Sequence, residues 1–139
     1  MTQGLILFAH GARDPRWAAP FEDLAARVQA QRPGLAVRLA YLEFLAPDLG
    51  AAVAELAAAG CTRIELLPMF LGSGGHVRRD LPQLLDELRQ RHAGLAIALH
   101  TAVGELDAVL QAMADAAVAL ADAGAAGAAG AAGAAERAA

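Results

Sequence analysis

Short apolar runs bounded by turn residues alternate along the chain with longer segments in which apolar residues recur every three or four positions. Leu5-Ile6-Leu7-Phe8-Ala9, the alternating Val37, Leu39 and Tyr41, Arg63 to Phe70, and Ala96 to His100 read as four strands. Between the first two, Phe21, Leu24, Ala25 and Val28 fall at i, i+3, i+4 and i+7. They predict a helix from about Trp17 to Arg32, stopped by Pro33-Gly34. Pro47-Asp48 opens a second helix carrying Leu49, Ala52, Val53 and Leu56, with Gly60 suited to the position just past its end. A third carries Leu81, Leu84, Leu85 and Leu88, with Pro82 expected in its first turns, where proline is tolerated. A last helix carries Leu106, Val109, Leu110, Met113 and Leu120. Strands alternating with helices of this length form a (βα)4 series. The expected fold is α/β and flavodoxin-like, three layers around a parallel sheet with right-handed crossovers.

From Ala123 the pattern degenerates into Gly-Ala-Ala, with glycines at 124, 127, 130 and 133. Glycine weakens a helix by about 1 kcal/mol relative to alanine, so residues 123–139 are expected to form a flexible Gly/Ala-rich tail after a folded domain of residues 1–122. At 139 residues the chain fits one domain that needs no disulfide or structural metal. Its hydrophobic fraction of 57% is supplied largely by alanine, and no apolar stretch is expected to approach the ~20 residues of a membrane span. Met1-Thr2-Gln3 lacks the basic start of a secretory signal, which predicts a cytoplasmic protein with no membrane association. A net charge of −4 without a long basic stripe argues against nucleic acid as a partner. The single cysteine, Cys61, precedes the third strand at the edge opposite the candidate chemistry and is expected to act as a small core residue.

The chemistry clusters after the strands. His10 and His76 each follow an apolar run within a glycine-flanked loop, and Glu43 follows the second strand. In a parallel sheet all three emerge at the carboxyl edge, where α/β folds gather ligands. Two imidazoles and a carboxylate suit a borderline divalent ion and leave coordination positions open. Gly72, Gly74 and Gly75, with Ser73 between them, allow backbone to approach a bulky ligand and could offer N–H groups to its carboxylates at the start of the next helix. Arg13 and Arg78, with Arg16 and Arg79, flank the two histidine loops and could hold an anionic substrate by forked hydrogen bonds. A nucleotide-binding P-loop is excluded by the missing Lys-Ser/Thr pair. His92 closes a helix, and His100, ending the fourth strand, is an accessory candidate near the pocket.

His10-Gly11-Ala12-Arg13-Asp14-Pro15, Glu43 after the second strand, and Gly72-Ser73-Gly74-Gly75-His76-Val77 together resemble the small single-domain sirohydrochlorin chelatases of the CbiX/SirB type, over residues 4 to about 120. The resemblance implies a lyase that inserts a divalent metal, Co2+, Fe2+ or Ni2+, into sirohydrochlorin or a related tetrapyrrole on the way to cobalamin or sirohaem, without a nucleotide. It implies that His10, Glu43 and His76 bind the incoming metal and carry the catalysis. Arg13, Arg78 and the glycine loop would take the macrocycle's carboxylates, and two copies would work as a homodimer. Ala12 departs from the serine common in that family. Two other readings use the same residues: phosphoryl transfer of the histidine-phosphatase kind, for which Ala9 stands in place of the usual arginine, and a non-catalytic metal-binding module.

Overall fold

Four strands, β1 (Thr2–Ala9), β2 (Ala36–Tyr41), β3 (Cys61–Pro68) and β4 (Ala96–Leu99), pair in parallel in the order β2-β1-β3-β4. This computed structural model describes residues 2–72 and 74–130, with the side chains of His76, Arg78 and residues 128–130 outside the description. The helices are α1 (Ala19–Gln31), α2 (Leu49–Ala58), α3 (Gly75–Arg91) and α4 (Asp107–Gly130), with 3-10 turns at Pro15–Ala18 and Val103–Glu105. The expected (βα)4 alternation and the parallel sheet are both present.

Being central, β1 is covered on both faces, and Ile6, Leu7, Phe8 and Ala9 are all fully buried. Side chains alternate across the sheet, so Ile6 and Phe8 join Ile64, Leu66 and Ile97 against Leu49, Val53 and Leu56 of α2 and Leu81, Leu85 and Leu88 of α3. On the opposite face Leu7 and Val37, with Leu5, Leu39 and Leu67, pack against Leu24, Ala25 and Val28 of α1. Trp17 closes the end of that layer, its ring 4.8 Å from Phe21 and 6.5 Å from Tyr41 between centroids. Cys61 is buried in the α2/α3 layer, the core role expected of it.

Local chemistry sets the helix ends. Asp48 caps α2 by accepting from the Ala51 N–H at 2.8 Å, and Gly60, at φ +92°, ends it as expected. The third helix starts earlier than its apolar stripe suggests. Gly74 is its N-cap with extended backbone, so His76 lies in the first turn rather than in the loop, and Pro82 falls well inside the helix. Proline there removes one helical hydrogen bond, a cost that the burial of Leu81, Leu85 and Leu88 offsets.

The chain divides into two compact units, Met1–Gly104 and Glu105–Ala139. In the second unit α4 continues unbroken past Ala123 to Gly130. Two alanines per triplet, the best helix former, outweigh the glycines that predicted a frayed tail; residues 131–139 lie outside the described residues. One further expectation is corrected: Asp107–Gly127, with a mean hydropathy of 1.3 in its most apolar window, is long and apolar enough to cross a membrane by length and composition. That hydropathy is mostly alanine, however. Asp115 and Asp122 would each cost about 2.5–3.5 kcal/mol near a bilayer centre, so the helix is poorly suited to span one.

Candidate functional site

The sheet order decides what meets at its carboxyl edge. His10 follows the central strand, with the loop after β2 on one side of it and the loop after β3 on the other. The ladder extends beyond the strands themselves. Leu42 N–H donates to the Ala9 carbonyl at 2.9 Å, Glu43 N–H donates to the His10 carbonyl at 3.0 Å, and Met69 N–H donates to the Phe8 carbonyl at 2.7 Å. His10 and Glu43 are therefore neighbours through backbone, and both side chains are exposed.

Two glycines make these approaches possible. Gly11 has φ +89°, and a Cβ there would collide with the Glu43 carbonyl oxygen. At the other side of the site a Cβ on Gly104 would collide with the Leu71 backbone, while Gly104 N–H donates to the Phe70 carbonyl at 2.9 Å. Phe70, buried just after β3, stacks on the His10 imidazole with ring centroids 4.3 Å apart and tilted 38°, and its other contact is edge-on to Phe8. One face of the imidazole is thereby fixed against the core. The ring edge, which carries both nitrogens, has no hydrogen-bond partner among the described residues.

Glycines 72, 74 and 75 behave differently. None has a left-handed φ, and a Cβ on any of them would meet nothing within 4 Å among the described residues. Nothing among the described residues requires glycine at these positions, which favours the reading that they leave room for something outside the fold. Gly74 caps α3 without a side-chain hydrogen bond, so the helix presents backbone N–H groups at its start.

The expected residues fare unequally. His10 and Glu43 come together through the backbone. His76 is carried on the first turn of α3, but its side chain, like those of Ser73 and Arg78, lies outside the described residues. Among the described residues no three His, Cys, Asp or Glu side chains gather closely enough to hold a metal. Arg13 places its guanidinium carbon 4.9 Å from the Phe44 ring centroid. Arg16 is engaged by Asp14 at 2.7 Å, which also holds the Asp14 carboxyl below its ordinary range, and Arg79 Nε donates back to the Gly75 carbonyl at 3.2 Å. Those two arginines are held by local partners.

His100 is also accounted for. Its Nε2 lies 2.7 Å from Glu65 Oε2, on the side chain that also receives Arg63 Nε at 2.6 Å. Hydrogen bonds from His100 and then Arg63 lower the Glu65 pKa below its ordinary 4.5. Phe44 and Phe70 escaped notice in the sequence, where each reads as an ordinary apolar residue near a strand end.

A parallel α/β sheet with His10 in the loop after its central strand and His76 on the first turn of the helix after the adjacent strand β3 defines a flavodoxin-like domain of the kind that gathers ligands at its carboxyl edge. Comparison with known proteins makes the class specific. The family profile named CbiX matches residues 4–119, and the chain belongs to the CbiX family. A protein of Saccharolobus solfataricus named sirohydrochlorin cobaltochelatase is 32% identical over 100 residues, covering 68% of this chain and 75% of that one. One of the same name from Methanococcoides burtonii is 29% identical over 82 residues, 59% of this chain and 63% of that protein, so the chain spans less than two thirds of such a relative. The crystal structure of a CbiX protein from Marinobacter aquaeolei VT8 superposes with a TM-score of 0.75 at 30% identity, covering 86% of this chain and 98% of that one. The sirohydrochlorin chelatase SirB of Bacillus subtilis subspecies spizizenii, solved with cobalt, shares the fold at a TM-score of 0.66 and 19% identity, this chain covering 44% of it.

Two outcomes follow from this geometry. Gly11→Ala should lower unfolding stability by at least about 2 kcal/mol in a urea titration, because it combines a disfavoured φ with a collision against Glu43 backbone; full stability would disprove the lock between the two loops. Because the folded Glu65 pKa is depressed, its contribution is complete above the unfolded carboxyl value and is lost as pH falls through the folded value. Glu65→Gln should therefore flatten the stability profile below about pH 4.5, by less than about 1 kcal/mol for a pair this exposed. Parallel profiles for variant and wild type would remove that role.

Proposed function

We propose that this chain inserts a divalent metal, Co2+, Fe2+ or Ni2+, into sirohydrochlorin in the cytoplasm, without a nucleotide, with His10, His76 and Glu43 handling the ion. The observation that carries the reading is the position of His10 at the end of the central strand, joined through its carbonyl to Glu43 and flanked on the other side by the glycine loop that leads to His76. Membership of the CbiX family and the cobaltochelatase names of its relatives support it.

The donor set suits delivery rather than storage. Neutral imidazoles and one carboxylate hold a borderline ion yet release it to four pyrrole nitrogens, whereas thiolates would grip it harder, and the sole cysteine is buried away from this edge. Metal entry displaces two N–H protons from the macrocycle. Glu43, exposed beside His10, is the group we assign to accept one of them, and the imidazole freed as the ion leaves it accepts the other. The start of α3 and Arg13 would receive the ligand's carboxylates, and Gly72, Gly74 and Gly75 would let backbone come close to it. Phosphoryl transfer is disfavoured, since the residue before His10 is the fully buried Ala9 and supplies no cation. A carrier without catalysis remains the reading that the experiment below separates.

We further propose that two copies associate: the matched part of this fold accounts for 44% of the SirB chain, less than half of that molecule. Sedimentation should give twice the chain mass, and an active species of single chain mass would refute association. Anaerobic absorbance assays with sirohydrochlorin should show metal insertion by the wild type and at least a tenfold loss of Co2+ affinity in His10→Ala and His76→Ala. Glu43→Gln should retain Co2+ binding but slow insertion by roughly 10²–10⁴ at saturating metal. Metal binding without insertion would leave a carrier, and unchanged Co2+ affinity in the double histidine variant would overturn the site.

A further inference from the structure

We propose that Phe44, with the Arg13 guanidinium over its ring, is the platform that seats the macrocycle, an inference that rests on the function proposed above. Within the unit Met1–Gly104, the exposed large hydrophobic side chains among the described residues are Leu42, Phe44, Leu71 and Leu99. All four lie at one edge of the sheet: Leu42 and Phe44 follow β2, Leu71 follows β3 and Leu99 ends β4. Elsewhere in that unit the large apolar side chains are at least partly covered. Scattered exposed leucines need no explanation, but an apolar rim confined to the edge that carries His10 and Glu43 marks a binding surface.

Phe44 is the member held most deliberately. Its φ is +66°, and Leu45 N–H donates to the Glu43 carbonyl at 2.8 Å, which makes Phe44 the apex of a γ-turn of the rare positive-φ form. A bulky residue gains nothing locally from that conformation, and Phe44 is 56% exposed, so burial does not compensate for it either. The turn is pinned on both sides, by Glu43 N–H on the His10 carbonyl and by Tyr41 N–H on the Pro47 carbonyl at 2.9 Å. The fold thus holds an aromatic ring out at the edge, one residue beyond Glu43.

Arg13 supplies the second half of the recognition. Its guanidinium carbon is 4.9 Å from the Phe44 centroid, so the cation is stacked in place with its N–H groups in a plane able to meet a carboxylate. An exposed aromatic residue with a guanidinium over one face of its ring matches a flat conjugated ring fringed with carboxylates. A second copy of this chain would match the leucines equally well, but would leave the cation without a stated partner.

Substitutions at position 44 separate the ring from the backbone. Glycine relieves the positive φ, alanine keeps the strain, and tryptophan keeps an aromatic surface. Phe44→Ala and Phe44→Gly should both raise the KM for sirohydrochlorin about five- to tenfold, exceeding any fall in kcat, while Co2+ affinity by calorimetry holds and Phe44→Trp stays near wild type. Arg13→Ala should raise KM similarly, and Arg13→Lys should recover it only in part. Rescue by glycine would assign Phe44 a purely structural role and overturn the proposal. A changed sedimentation coefficient with unchanged KM would give the rim to a second copy and likewise overturn it. A wild type that neither binds nor metallates sirohydrochlorin would sink the functional reading together with this one; a wild type that does both while Phe44→Ala matches it would sink this inference alone.

Discussion

The site depends on parallel strand pairing that does not stop where the strands do. Because β1 lies between β2 and β3, the carbonyls of Phe8, Ala9 and His10 each receive an N–H from a neighbouring segment, and the last two of these donors belong to the loop that bears Glu43. His10 and Glu43 are thus set on an extension of the sheet rather than on free loops. Positions fixed this way are held more closely than loop residues ordinarily are. Gly11 is what admits the approach, since any side chain there would strike the Glu43 carbonyl.

The two sides of His10 are built on different principles. Toward β2 the chain is pinned by successive hydrogen bonds and by the Phe44 turn. Toward β3 it passes Phe70, which stacks on the imidazole, and enters glycines on whose conformation the described residues make no demand. A fixed wall facing a permissive one suits a large rigid ligand, because the fixed wall sets its orientation and the permissive one sheds side-chain bulk where backbone must come near.

Much of this was legible in the sequence. Alternating runs and helical stripes announced the (βα)4 order, and parallel topology alone carried His10, Glu43 and the glycine loop to one edge. What escaped was set by register between distant segments. His100 is tied to Glu65 across 35 residues, which no local pattern reveals, and Phe70 meets His10 through the pairing of β1 with β3. Pro82 lies deeper in α3 than expected because Gly74 caps the helix without the serine or aspartate that usually signals a helix start. In α4 the regular glycine spacing suggested fraying, but the alanines between carried the helix to Gly130.

Trp17, the single tryptophan of the chain, sits against Phe21 and Tyr41 in the turn that follows the His10 loop. Tyr41 is the last residue of β2, two residues before Glu43. A domain of about 100 residues has a radius of gyration near 13 Å, so the indole lies within resonance-transfer range of a molecule on the carboxyl edge that absorbs in the near-ultraviolet band where tryptophan emits. The protein thereby carries its own optical reporter: arrival of a ligand absorbing in that band would dim one identifiable emitter, and occupancy could be followed on the native chain without a label.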